Sequence, residues 1–206
     1  MKLYIAPRAP NPRRVQMFMA EKNINKIELV HVDLNQREHL GSVFLSKNPL
    51  AKVPVLELDD GRCLSESRAI CSYLEGLCPE PNLMGTTYEE RAFIEMADRH
   101  IEWTLFLGFA QAIRHTHPGL AALEQPQFSE FGRTQAGKAI EAARIFDQQL
   151  QRQEWMAGSR FTIADITAFC AIEFARGLLK FVPLESELHA LQNWRDRVQS
   201  RPSAKV

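Results

Sequence analysis

Asn48-Pro49-Leu50-Ala51-Lys52-Val53-Pro54-Val55-Leu56-Glu57-Leu58, continued by Leu64-Ser65-Glu66-Ser67-Arg68-Ala69-Ile70, is the stretch on which the reading of this chain turns. It predicts a loop, an apolar strand, a tight turn at Asp60-Gly61, a short second strand and a helix start. Pro54 stands at the mouth of the first strand, where a residue that cannot donate to a ladder belongs. An X-Pro bond is also the one place where a cis peptide is cheap, at about 0.5–1 kcal/mol. A cis Val53-Pro54 bond would turn the N–H and C=O of Val53 outward, ready to pair with an extended peptide. Ser65 reads as an N-cap, with Glu66, Ser67 and Arg68 as the first helical turn. Free N–H groups and the positive dipole end make such a turn a site for a carboxylate. One stretch therefore offers a strand edge for a small peptide and an anion site for its acidic end.

Working outward, Lys2–Ala6 reads as a strand, 13–22 as a helix and Ile27–Val32 as a strand. A short helical piece near Glu38–Leu45 follows, then the Pro54 hairpin and a helix from Glu66 to Leu77. The order β-α-β-α-β-β-α is the thioredoxin-like arrangement. Cys78-Pro79-Glu80-Pro81-Asn82 breaks the pattern and predicts a linker over 79–87 between a domain at 1–78 and one at 88–206. The second domain reads as all-helical, with helices near 88–115, 128–152, 162–179 and 186–199. Before the third of these, Thr162 and Asp165 have the spacing of a capping box, and Phe161 and Ile166 that of a hydrophobic staple. Losing that cap would cost about 1 kcal/mol.

Composition narrows the field. The 206 residues carry 25 basic and 25 acidic side chains, so nothing points to nucleic acid or an acidic membrane surface. No stretch is apolar for long enough to span a membrane. Cys63, Cys71, Cys78 and Cys170 form neither a Cys-x-x-Cys pair nor a zinc spacing, and read as reduced thiols of a cytoplasmic protein.

Lys52-Val53-Pro54 followed by Glu66-Ser67-Arg68-Ala69-Ile70 resembles the glutathione-binding signature of cytosolic glutathione transferases, in particular bacterial theta- and nu-like members. The Thr162–Asp165 segment resembles the capping motif of their helical domain, so the resemblance spans both domains. It implies an α/β thioredoxin-like domain followed by an all-α domain. It implies that Val53, ahead of Pro54, pairs with the cysteinyl part of glutathione, and that Glu66 and Ser67 hold the γ-glutamyl end. His39 and Lys52 would reach the glycyl carboxylate. Asp98, in Ala97-Asp98-Arg99-His100, would reach the γ-glutamyl amine in a partner subunit, which implies a homodimer. Trp103 and Phe106, three residues apart and followed by Phe109, would line the pocket for a second substrate, or else form part of the helical core. The implied co-substrates are glutathione and a small hydrophobic electrophile or a disulfide, with no metal. The implied activity is conjugation, or reduction of disulfides or peroxides.

The chain departs from that family where the thiol-activating group should stand. Ala9 occupies the usual serine position and Pro12 the position of cysteine in several members. That departure keeps open a non-catalytic binding or regulatory protein, of the kind that acts in stress responses. Asn11 remains. It can be an N-cap ahead of a proline, or its amide can donate to the glutathione sulfur, as the asparagine of nu-like members implies. Lowering a thiol from about 8.5 to about 6.5 needs roughly 2.7 kcal/mol. A hydrogen bond to a charged group supplies about 1.5–3 kcal/mol, and a helix start about 0.3–1 kcal/mol. The sum suffices if the helix's N–H groups face the sulfur.

Overall fold

The computed structural model describes residues 1–206, in two compact units, Met1–Asn82 with Lys205–Val206, and Leu83–Ala204. In the first, β1 (Lys2–Ile5), α1 (Pro10–Glu21) and β2 (Glu28–His31) form a pair of parallel strands with their crossover helix. A 3₁₀ turn at Glu38–Leu40 and the short α2 (Ser42–Leu45) lead to the hairpin β3 (Val55–Glu57) and β4 (Cys63–Ser65), and then to α3 (Ser67–Leu77). The sheet order is β2-β1-β3-β4, with β3 antiparallel to both neighbours. Leu3, Val55 and Leu56 of the strands are fully buried, as are Val15 and Phe18 of α1 and Ile70 and Leu74 of α3. The helix residues recur at helical spacing, which is how α1 and α3 each turn one apolar face inward.

Two expected helix starts are corrected. Ser65 is not an N-cap: it pairs with Val55 in the ladder, which holds it extended. The turn is made by Glu66 instead, at φ 68° and ψ 114°. Asn11 is not an N-cap either. Pro10 takes the first helical position that proline favours, so the cap is Ala9 and Asn11 lies inside the first turn.

The chain between the units is anchored to the first. The Lys22 ammonium, without solvent exposure, donates to the carbonyls of Cys78 (2.6 Å), Pro81 (2.8 Å) and Pro79 (3.3 Å) and pairs with Glu75 (2.6 Å). This satisfies the carbonyl at the C-cap of α3 and two in the segment after it, and residues 78–82 group with the first unit.

The second unit is all-helical: α4 (Tyr88–His100), a π-helical stretch at Ile101–Phe106, α5 (Leu107–Thr116), α6 (Ser129–Leu150), α7 (Ile163–Leu179) and α8 (His189–Gln199). The helices α5 and α6 approach closely where side chains are smallest. A Cβ on Gly108 would lie 2.9 Å from the Ala139 Cβ, so the contact requires glycine. Through its first half, from Ile163 to Ile172, α7 is buried on all sides. Its expected capping box is present: Asp165 accepts from the Thr162 N–H at 2.9 Å and the Thr162 hydroxyl at 3.2 Å. The same carboxylate also accepts from the Met156 N–H at 2.9 Å and the Trp194 indole at 2.8 Å. A local cap thus also ties α8 and the loop before α7 together. No helix is long and apolar enough to cross a membrane.

Candidate glutathione site

The registers Tyr4↔Val55 and Val55↔Ser65 put the end of β1, the start of β3 and the end of β4 at one end of the sheet. Asn11, Val53, Glu66 and Ser67 all follow or precede these strand ends by a few residues. The Val53-Pro54 bond is cis. Sheet pairing starts only at Val55, and the N–H and C=O of Val53 have no hydrogen-bond partner in the chain. The approach to Val53 is shaped by buried Asn48, whose amide donates to the Lys52 carbonyl at 2.8 Å and accepts from the Leu50 N–H at 3.1 Å. Lys52 itself is exposed.

Glu66 is exposed and sits at positive φ, a conformation that costs a non-glycine residue about 1–3 kcal/mol and clusters at ligand clamps. Ser67 opens α3 and is buried. His39, in the 3₁₀ turn, is also buried, and its Nδ1 has no partner. Burial, and then the nearby Arg37 charge, hold its imidazole below the ordinary histidine range. It can therefore offer a carboxylate a neutral N–H rather than a full charge.

The side chains of Asn11, Ser67 and Arg14 meet. Fully buried Arg14 donates to the Ser67 hydroxyl at 3.1 Å, and that hydroxyl donates to Asn11 Oδ1 at 3.3 Å. The opening of α1 is poorer in donors than expected. Pro10 and Pro12 have no N–H, Ala9 donates to Ala6 and Arg13 to Ala9, both at 3.3 Å. Only the Asn11 N–H stays open, beside the Asn11 side-chain NH₂. Asn11 is thus the donor of this turn by backbone and by side chain together.

In the helical unit the expected residues separate. Asp98 is fully buried: it accepts from the Thr167 hydroxyl and pairs with Arg99 at 3.0 Å. Its carboxylate is committed inside its own unit, against the expectation that it reaches outward to a partner. Trp103 is 66% exposed, whereas Phe106 and Phe109 are core, with Phe109 packed on Phe181 at 5.0 Å. Trp103 and Phe106 both lie in the π-helical stretch, whose wider turn parts the one from the other. Phe106 takes the core alternative and Trp103 the exposed one.

Sequence models of the glutathione S-transferase N-terminal domain and C-terminal domain match residues 1–76 and 114–202. Glutathione S-transferase 2 of Saccharomyces cerevisiae is 38% identical over all of this chain and 88% of its own length. The chain belongs to the glutathione S-transferase family. Solved structures of other glutathione S-transferases agree in fold. A glutathione S-transferase domain-containing protein of Marinobacter aquaeolei VT8 is 39% identical with a TM-score of 0.93, over 98% of this chain and 99% of that one. Gtt2 of Saccharomyces cerevisiae is 37% identical with a TM-score of 0.93, over 100% and 99%. The Gtt2-class transferase of Vibrio parahaemolyticus is 29% identical with a TM-score of 0.85, over 98% and 94%. The thioredoxin-like unit and the helical unit are those of a glutathione S-transferase. Arg14 is the site residue that sequence reasoning missed: only the fold brings it beside Ser67, 53 positions later.

Proposed function

We propose that this glutathione S-transferase binds glutathione at this end of the sheet and stabilises its thiolate with Asn11. The observation that carries the proposal is that both unused donors at the opening of α1 belong to Asn11, whose amide oxygen is already taken by Ser67. Val53 pairs with the cysteinyl backbone, Glu66 and Ser67 take the γ-glutamyl end, and His39 and Lys52 the glycyl carboxylate. The thiol proton leaves to solvent. The sulfur lone pair then forms a C–S bond to a small hydrophobic electrophile, whose leaving group departs with the displaced electron pair. With a disulfide as the second substrate, the thiolate displaces one sulfur as thiolate, and a second glutathione resolves the mixed disulfide. Exposed Trp103 contributes to the second-substrate pocket. This assigns the chain to cytoplasmic detoxification of electrophiles or disulfides. The non-catalytic alternative is not adopted, because the full-length relative is a transferase by name.

The test is an ultraviolet pH titration of the thiolate of bound glutathione. Wild type is expected to show a thiol pKa of about 6–7. Asn11→Ala is expected to raise it by about 1–2 units, the worth of a hydrogen bond to a charged group. A bound thiol whose titration is unchanged in Asn11→Ala sinks this assignment.

We also infer a homodimer. Phe93 and Met96 of α4 are 57% and 47% exposed at adjacent helical spacing, which supports an apolar contact between copies. Met96→Glu is expected to shift the protein toward monomer in sedimentation equilibrium; an unchanged mass would place the contact elsewhere.

A further inference from the structure

We propose that Arg14 and Ser67 form a positioning relay that sets which end of the Asn11 amide faces the glutathione sulfur. This rests on Asn11 being the thiolate donor. An amide is symmetric in shape but opposite in polarity at its two ends, so a stabilising donor must be held the right way round. Turned over, its carbonyl oxygen would face the thiolate and repel it. The hydrogen bonds of the structure run in one direction. A guanidinium only donates, so the Ser67 oxygen must accept from Arg14, at 3.1 Å. The hydroxyl proton is then left to donate, and the acceptor it meets is Asn11 Oδ1 at 3.3 Å. With Oδ1 occupied, the NH₂ end is left without a partner, as is the N–H of the same residue. Arg14 is fully buried and Ser67 only 4% exposed, so solvent does not compete for these positions.

The relay assigns Ser67 two duties. Its backbone N–H, at the first position of α3, remains for the γ-glutamyl carboxylate. Its hydroxyl serves the other end of the same glutathione, through Asn11. One residue thereby couples recognition of the γ-glutamyl group to activation of the sulfur. Ser67→Ala keeps the N–H and removes the hydroxyl, which separates the two duties.

The experiment is the thiolate titration at saturating glutathione, with glutathione affinity measured in parallel by calorimetry. Ser67→Ala is expected to raise the bound thiol pKa by about 0.5–1 unit, a three- to tenfold loss of thiolate at fixed pH. Affinity should change less than threefold. Ser67→Thr, which keeps the hydroxyl, is expected to restore the wild-type titration. Arg14→Gln, where circular dichroism shows it folded, should raise the pKa as Ser67→Ala does, and the double variant should go no further. If Ser67→Ala weakens binding while the pKa at saturation stays at the wild-type value, the hydroxyl only binds substrate and the relay is overturned. Asn11→Ala separates the two possible failures. A raised pKa there with none in Ser67→Ala rejects the relay alone, whereas no change in Asn11→Ala rejects the Asn11 assignment and the relay with it.

Discussion

Asp165→Ala is expected to destabilise the protein by about 3–5 kcal/mol, the range for removing one partner from a buried charged network. The carboxylate is fully buried and accepts four hydrogen bonds, from Thr162 twice, Met156 and Trp194. Its loss strands three buried N–H groups, each costing about 1–3 kcal/mol when unpaired. That exceeds the roughly 1 kcal/mol of a simple helix cap, because the same oxygens hold α8 and the loop before α7. Urea unfolding checks it: a loss near 1 kcal/mol would mean that Asp165 acts as a cap alone. Asp165→Asn retains one acceptor oxygen and should cost less.

The same residue predicts a pH dependence. Burial pushes the Asp165 carboxyl up to about 6, against the four donors that lower it. The unfolded value is about 3.9. Between these values the native state holds a proton that the unfolded chain releases, so this contribution to stability is full below about pH 4 and is lost as the pH rises through about 6. The shift of about two units corresponds to something on the order of 3 kcal/mol. Asn titrates nowhere in this range. The stability of wild type relative to Asp165→Asn should therefore fall from pH 4 to pH 7. A difference that stays flat, or rises, contradicts the assignment.

Lys22→Met is the second large effect, also about 3–5 kcal/mol. Methionine matches the length and apolar stem but offers no proton. The carbonyls of Cys78, Pro79 and Pro81 and the Glu75 carboxylate then lose their shared donor in a place where the Lys22 side chain has no exposure. Lys22→Arg should recover only part of the loss. A compact ammonium can point at several converging oxygens, whereas a planar fork cannot. Because the released carbonyls lie just before the boundary at Asn82, cleavage by a protease after residues 78–82 should accelerate in Lys22→Met well before global unfolding. Equal cleavage rates in folded wild type and variant would show that the anchor does not hold this segment.

Much of the fold was legible because its signals are local. The turn at Asp60-Gly61, the proline at a strand mouth and the Thr162–Asp165 spacing each act over a few residues, where backbone chemistry alone decides the outcome. The prolines at 10 and 12 stand in plain view, but that both lie in the first turn of α1, and so strip it of two N–H groups, follows only from where the helix starts. Two helix caps lie one and two residues from Ser65 and Asn11, where capping propensity puts them, because strand pairing with Val55 and the preference of Pro10 for the first turn override it.

The order of elements, the glutathione-binding signature and the family resemblance rest on residue types at fixed short spacings, and so are carried by the chain alone. Where side chains spend their hydrogen bonds follows from long-range packing. It committed Asp98 to Thr167, turned Phe106 into the core, and gave Asp165 its partner Trp194. It also brought Arg14 and Asn11 to Ser67 across 53 and 56 positions. A polar group's role depends on which distant donor or acceptor folding delivers to it, and no local pattern carries that information.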